Sequence, residues 1–252
     1  MSGSVEQPVG GSGAGVAFRA LLQRRFYFFM SLAIAVIVTY GFHFTVGTNL
    51  LHPAIPRPFL LYIHAATFTA WLAIFIAQTA LVTTGNTHLH KRLGLVGIVV
   101  GVAVVVVGLS TTVVMTQFHA AHPAPGDDPR FVIVPFNDIA AFAGLFRAAI
   151  ALRRTNCEAH RRLMLMARCA LTAAGWGRFP AYLVPDGWFY LGVDALVLLG
   201  VGRDLVVMRR VHPAYLYGLP AMVAGQVAAL AVIAARPAWW MAAVHAIGRA
   251  GG

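Results

Sequence analysis

The chain has 252 residues, of which 59% are hydrophobic and only 11% are charged. Soluble domains carry about 25% charged residues, so this composition excludes an ordinary soluble globular protein. The net charge of +11 does not indicate a nucleic-acid partner, because the basic residues stand in short loops between apolar runs, as the positive-inside rule requires.

The N-terminal stretch, residues 1–17, is rich in glycine and serine and has no basic n-region. We therefore predict a disordered tail and not a cleaved signal peptide. Residues 18–235 contain repeated apolar runs of membrane-spanning length,. These runs are rich in Ala, Leu and Val without a period of two, and backbone groups in lipid must be satisfied internally, so we expect helices and not a barrel.

The predicted fold is an all-α membrane protein with seven transmembrane helices. Basic and non-basic loops alternate, which puts the N-terminus in the cytoplasm and the C-terminus outside. A six-span alternative drops the last run, which contains Pro220, and puts the C-terminus inside. Residues 236–252 include Trp239 and Trp240 and are predicted to form a periplasmic interfacial helix and tail. The predicted spans are 26–46, 58–83, 93–117, 131–152, 163–184, 188–208 and 215–235.

Three basic turns share a pattern. HKRL at 90–93 and HRRL at 160–163 open the third and fifth spans, and RRVH at 209–212 precedes the seventh. The pattern predicts one leading helix followed by three parallel helical hairpins that arose by duplication. The alternative is that no duplication occurred, since basic residues are expected after a span in any case.

Four segments within residues 26–218, IHxxxFxxWxxxFxxQ, HKRLG, AHRRLMLMA and RRVHPAYLYG, together resemble a group of uncharacterised bacterial integral membrane proteins. In that group the second basic segment usually reads HKRLMLLA, so Arg161 and Met166 are variants. The resemblance implies a multi-pass protein of the bacterial inner (cytoplasmic) membrane, and it implies no activity.

Polar side chains inside the predicted spans are the candidate site. Such a group costs about 2.5–3.5 kcal/mol at a helix centre, so it needs a partner, a cavity or a function. Five spans place polar groups about 5–10 Å below the outer surface, judged by the helical rise. We predict that they form a buried cluster open to the periplasm, or else that they only join helices, with Arg178 paired to an aspartate. The residues are His43, His64, Asn137, Asp138, Arg178 and Asp194.

A second set of polar residues lies toward the inner ends of the spans. It consists of Gln78, Arg147, Arg168 and Asp204. The aliphatic parts of the Arg147 and Arg168 side chains either lie along the apolar surface so that the guanidinium groups reach the cytosol, or the two arginines form a pocket for an anion or a lipid headgroup between spans four and five. The heptad spacing of His64, Trp71 and Gln78 predicts an inward-facing stripe on the second span, although ordinary helix packing has the same spacing.

Four function classes remain open. The cluster could bind or transport a small ligand, proton or cation, with Asp138 or Asp194 as the site and Arg178 as counter-ion. His43 and His64 could hold a single haem b, or His43, His64, Asp138 and Asp194 a divalent metal. The chain could also be an accessory or structural subunit whose partners are membrane lipids. A retinal pigment is excluded, because the only lysine, Lys91, lies in a turn and not in the last span,.

Overall fold

A computed structural model describes residues 13–250 of the chain, without Pro125 and Asp186. In this part of the chain all regular structure is helical. A π-helical turn, Gly47–Leu51, extends the first helix, and a 3-10 turn, Pro129–Val132, precedes the fourth. The α-helices are α1 (Gly13–Val46), α2 (Phe59–Thr83), α3 (Thr87–Ala121), α4 (Ile133–Leu152), α5 (Cys157–Ala170), α6 (Ala173–Trp176), α7 (Phe189–Met208), α8 (Pro213–Ala235) and α9 (Ala238–Arg249).

Five helical segments are long and apolar enough to cross a membrane. Only 11% to 22% of the residues in their most apolar windows are buried within the protein, so most of their apolar surface faces outward, as contact with lipid requires,. The described chain is therefore a helical protein suited to a membrane. The segments are Gly15–Leu51, Phe59–Thr83, Thr87–Ala121, Pro129–Leu152 and Pro213–Ala235.

The predicted fifth span, 163–184, is not one continuous helix. α5 begins earlier, because the Asn156 side chain accepts a hydrogen bond from the Ala159 amide (2.9 Å) and caps the helix,. It ends at Ala170, and only the single turn α6 follows before the chain leaves helical geometry. Gly177 weakens the helix, and Pro180 cannot continue it. α5 is about 21 Å long, too short to cross a bilayer alone.

α5 occupies the centre of the molecule. From Arg162 to Ala170 every residue except Met164 is buried. Leu165 and Met166 belong to a core that includes Met30 of α1. Arg162 was expected in the loop between spans four and five, but its side chain lies inside α5 with no exposed surface. The reason is that α5 starts five residues before Arg162 and carries it inward.

Both ends of the chain are helical in the described part. α1 begins at Gly13, so residues 13–17 of the predicted tail are helical, and residues 1–12 lie outside the described part. The segment after Arg236 forms α9, which contacts α3 and the 3-10 turn. Trp239 is 64% exposed, whereas Trp240 is buried against Phe136, with ring centroids 6.4 Å apart. An exposed indole at such a position suits the headgroup region of a bilayer.

Candidate functional site

Asp138 of α4 is bound by side chains from its own helix and from α7. The Tyr190 hydroxyl donates a hydrogen bond to Asp138 Oδ1 over 2.9 Å. The Asn137 side-chain amide donates to the Tyr190 oxygen (3.1 Å) and to Asp138 Oδ1 (3.3 Å). Asp138 and Tyr190 are 7% and 4% exposed. A carboxyl group is thus held between two helices, away from bulk water.

Asp194 extends this arrangement to α8. It lies one helical turn after Tyr190, and its Oδ1 accepts a hydrogen bond from Gln226 Nε2 over 3.0 Å,. At the neighbouring Gly225, a Cβ atom would stand 2.6 Å from Asn137 Oδ1, so α8 also approaches α4 closely there. We call Asn137, Asp138, Tyr190, Asp194 and Gln226 the polar network. It joins α4, α7 and α8.

The two acids of the polar network, Asp138 and Asp194, have no positively charged partner among the described residues. Both carboxyls receive hydrogen bonds from neutral side chains, and neither takes part in an ion pair within residues 13–250. Asp138 is buried, whereas Asp194 is only partly buried. An ionised carboxylate buried without a countercharge is costly, and it is accommodated when it holds a proton or a small cation. The chemistry of the polar network therefore suits one of these species at Asp138, with Asp194 of α7 as a second carboxyl group.

Arg178 does not serve as the counter-ion of either aspartate. Its Nε donates to the Thr45 hydroxyl over 3.2 Å, and it also donates to the Ala174 carbonyl. Its guanidinium carbon lies 4.2 Å above the centre of the Phe42 ring. Arg178 follows the helix break after α6, and that break directs it toward α1. It therefore joins the end of α6 to α1 and does not belong to the polar network.

The two histidines of the predicted cluster also lie apart from the polar network. His64 stacks on Phe68 of its own helix, with ring centroids 4.0 Å apart, and its buried Nδ1 has no hydrogen-bond partner among the described residues. His43 is exposed on α1 and lies edge-on to Phe44. Of the six predicted residues, the structure brings Asn137, Asp138 and Asp194 together and leaves the other three outside.

This geometry does not fit a resident metal or haem. In the described part of the chain no three residues among His, Cys, Asp and Glu stand close enough to hold a metal ion. The four tentative ligands, His43, His64, Asp138 and Asp194, are thus not gathered into one site. A haem would need two histidines facing one another across helices, whereas His43 is exposed and lies edge-on to Phe44 of its own helix,.

The inner polar residues have different surroundings. Asp204 is fully buried in an ion-pair network, accepting from Arg162 Nε and NH2 (both 2.7 Å) and from Arg203 NH1 (2.9 Å). Glu158 also binds Arg162, over 2.6 Å. No hydrogen bond joins Gln78, Arg147 and Arg168 to one another among the described residues. The buried Oε1 of Gln78 and Nε of Arg168 have no partner, and Arg147 is exposed.

The polar network contains two residues that the sequence reasoning missed, Tyr190 and Gln226. For each of them the sequence contains a feature from which its place in the network could have been predicted. Tyr190 precedes Asp194 by four positions and so shares its helix face. Gln226 is a strongly polar residue inside the predicted seventh span, where the cost of polar groups in lipid applies equally. For Arg162 the signal was ambiguous, because it adjoins Arg161 in a basic turn where solvated arginines are expected.

Compared with known proteins, the chain matches no family model, no curated protein and no solved structure.

Proposed function

We propose that the chain is a multi-pass protein of a bacterial inner membrane that binds a proton, or a small cation in its place, at Asp138 and Asp194, and uses this site in transport or ligand binding. The observation that carries the proposal is that both carboxyls are hydrogen-bonded by neutral groups only, Asp138 within a segment long and apolar enough to cross a membrane and Asp194 within the 20-residue helix α7. The basic turns that resemble those of the bacterial group described above support the proposed location in a bacterial inner membrane.

The partners of the two carboxyls suit a group that changes its protonation state. A tyrosine hydroxyl and an amide side chain can each donate a hydrogen bond to a carboxylate or accept one from a carboxylic acid. Tyr190 and Gln226 therefore remain bonded in either state. At Asp204 the partners are guanidinium groups, which only donate and keep the carboxylate charged,. The contrast supports a titrating role for Asp138 and Asp194 and a structural role for Asp204.

When Asp138 releases its proton, the Tyr190 hydroxyl and the Asn137 amide both donate to the resulting carboxylate, which stabilises the charged form,. When Asp138 takes up a proton, Tyr190 can accept from the carboxylic acid instead. Asp194 lies on α7, one helical turn after Tyr190, and has the same choice with Gln226. The site thus offers two neighbouring positions between which a proton or cation can exchange.

We also propose seven membrane crossings, with α5 and α6 together forming the fifth. Arg162 at the start of α5 binds Asp204 near the end of α7. Farther along, Gly175 of α6 lies against Gly41 near the end of α1, where a Cβ on Gly41 would stand 2.2 Å from the Gly175 carbonyl oxygen. These contacts support a broken α5–α6 segment antiparallel to α7. The crossings then form hairpins α2–α3, α4–α5 and α7–α8 after a leading α1.

Infrared spectroscopy tests the proton site, because the carbonyl stretch of a carboxylic acid is separate from the bands of a carboxylate. The protein in lipid nanodiscs is titrated with acid and base. We expect carboxylic acid absorption at neutral pH that decreases in Asp138→Asn and in Asp194→Asn. Tyr190→Phe should shift the Asp138 component without abolishing it, because one hydrogen bond is lost. Asp127→Asn, in the exposed loop after α3, is the matched control and should leave this absorption unchanged.

A neutral-pH spectrum with ionised carboxylates alone would favour the cation form of the site if Na⁺, K⁺ or Mg²⁺ altered their bands. If no ion altered them, the proposed function would be refuted.

The topology has its own test in alkaline phosphatase fusions, since that enzyme is active only outside the cytoplasm. A fusion after residue 252 should be active and one after Lys91 inactive. The reverse pattern would invert the proposed orientation.

A further inference from the structure

A groove with a volume of about 350 Å³ runs between α3 and α4. Its α3 wall includes Val102 and Val106, which are 54% and 59% exposed. Its α4 wall includes Ala143, Ile150 and Arg147. Both helices belong to segments that are long and apolar enough to cross a membrane, so the groove faces the hydrocarbon of the bilayer,.

Arg147 is the only charged residue of this groove. It is exposed, and it makes no side-chain hydrogen bond or ion pair with any described residue. It stands five residues before the end of α4 at Leu152, about 7–8 Å along the helix axis,. Its long side chain can lie along the apolar wall and put the guanidinium near the phosphate level of the leaflet. A guanidinium stays charged there and requires an anion.

Among the described residues, the carboxylates at the end of the bundle where Arg147 lies are already paired, which argues against a second copy as its partner. At this end of the bundle Glu158 and Asp204 are already bound by Arg161, Arg162 and Arg203. Asp138 lies nine residues earlier on α4, in the polar network. A lipid phosphate has the matching charge, and its oxygens suit the planar donor fork of arginine. Its acyl chain suits the aliphatic walls of the groove.

We propose that the groove binds one anionic phospholipid of the leaflet next to Arg153 and Arg154, with the phosphate on Arg147 and an acyl chain along Val102 and Val106. This site is separate from the polar network and does not depend on its function. Lipid bound here would cover the seam between α3 and α4 and neutralise a charge that otherwise faces hydrocarbon.

Native mass spectrometry of the full-length protein tests this proposal. Phosphatidylglycerol and phosphatidylcholine with identical acyl chains are titrated separately into the detergent-solubilised protein. Both lipids carry an anionic phosphate, but the positive choline group of phosphatidylcholine offsets its charge, so we expect a preference of about tenfold for phosphatidylglycerol. Arg147→Gln should remove the preference, whereas Arg147→Lys should keep most of it. Arg154→Gln removes an exposed arginine outside the groove and is the matched control, which should keep the preference.

The apolar wall has a separate test. Ala143→Leu fills part of the groove while Arg147 remains, so the retention of both lipids should fall. The proposal is overturned if wild-type protein retains the two lipids equally or if Arg147→Gln leaves the preference unchanged. It is also overturned if the wild-type protein is a dimer that dissociates in Arg147→Gln, since the groove would then hold a second copy.

Discussion

Arg162 and Asp204 form a two-pronged ion pair with neither side chain exposed. Arg162 Nε and NH2 each lie 2.7 Å from one carboxylate oxygen of Asp204. The pair joins the start of α5 to the end of α7, and Arg203 contributes a further bond to the same carboxylate over 2.9 Å. Because a guanidinium cannot lose its charge, the stability of this contact depends on the negative charge of Asp204.

Asp204→Asn should therefore destabilise the protein strongly. Arg203 would lose its carboxylate and Arg162 would keep only Glu158, and removing one partner of a buried ion pair costs about 3–5 kcal/mol,. Thermal unfolding in mild detergent, followed by circular dichroism, measures the loss as a lowered apparent melting temperature. Glu158→Gln is the matched control. Its carboxylate also binds Arg162 but is 49% exposed, so its loss should cost no more than about 1 kcal/mol,. Equal losses in the two variants would contradict the prediction.

The sequence predicts how far along its helix a polar residue lies, but it does not predict the direction in which the side chain points. Depth follows from counting residues along a helix, and this reasoning put Asn137, Asp138 and Asp194 at similar depths. Whether side chains at one depth meet depends on how each helix is rotated against its neighbours. That rotation separates His43 and His64 from the aspartates.

The apolar pattern of the sequence also does not predict the break after α5. The run 163–184 is apolar enough to suggest one span, yet α5 ends at Ala170. Beyond the second break, after α6, Arg178 donates to Thr45, so it is not the counter-ion that was expected for Asp138 or Asp194. Hydropathy measures the average environment of a segment and does not show where its backbone bends.

Gly41 should be indispensable to the contact between α1 and α6. A Cβ atom there would stand 2.2 Å from the Gly175 carbonyl oxygen, a backbone atom that cannot move aside alone. Gly41→Ala should therefore lower the apparent melting temperature, although alanine is the better helix former. Gly144 of α4 has no atom within 4 Å of such a Cβ, so Gly144→Ala should be neutral or stabilising by up to about 1 kcal/mol,. A stabilising Gly41→Ala would refute the close approach.

His212 should make the stability of α8 depend on pH. Its Nδ1 accepts a hydrogen bond from the Ala214 amide over 3.1 Å and caps the helix, which requires an unprotonated Nδ1. Partial burial, and then the positive charge of Arg162, lower the pKa of His212 below its usual value. The unfolded chain, with a pKa of about 6.5, therefore takes up a proton before the folded chain does. This stabilisation is complete above about pH 6.5 and declines as the pH falls toward the lowered pKa of the folded state.

Two variants at position 212 distinguish the effect of losing the helix cap from the effect of protonating His212. His212→Asn keeps a capping side chain that does not titrate, so the decline below about pH 6.5 should be smaller than in the wild type. His212→Ala loses the cap and should be less stable by about 0.5–2 kcal/mol at pH 7.5. Melting temperatures measured across this pH range in one detergent give both results. An identical decline in the wild type and in His212→Asn would show that another group is responsible.

Asp194 and Gln226 should behave as a coupled pair. Asp194→Asn keeps a neutral hydrogen-bonding partner for Gln226, so the fold should be retained while the infrared signal of Asp194 is lost. Asp194→Leu leaves the Gln226 amide, which is 4% exposed, without a partner and should cost about 1–3 kcal/mol,. Gln226→Leu leaves Asp194 similarly unpaired.

The double variant Asp194→Leu/Gln226→Leu removes both polar groups from a membrane-facing bundle, so it should be more stable than the sum of the single losses predicts. Strictly additive losses would mean that the two residues do not interact, and the polar network would then end at Tyr190.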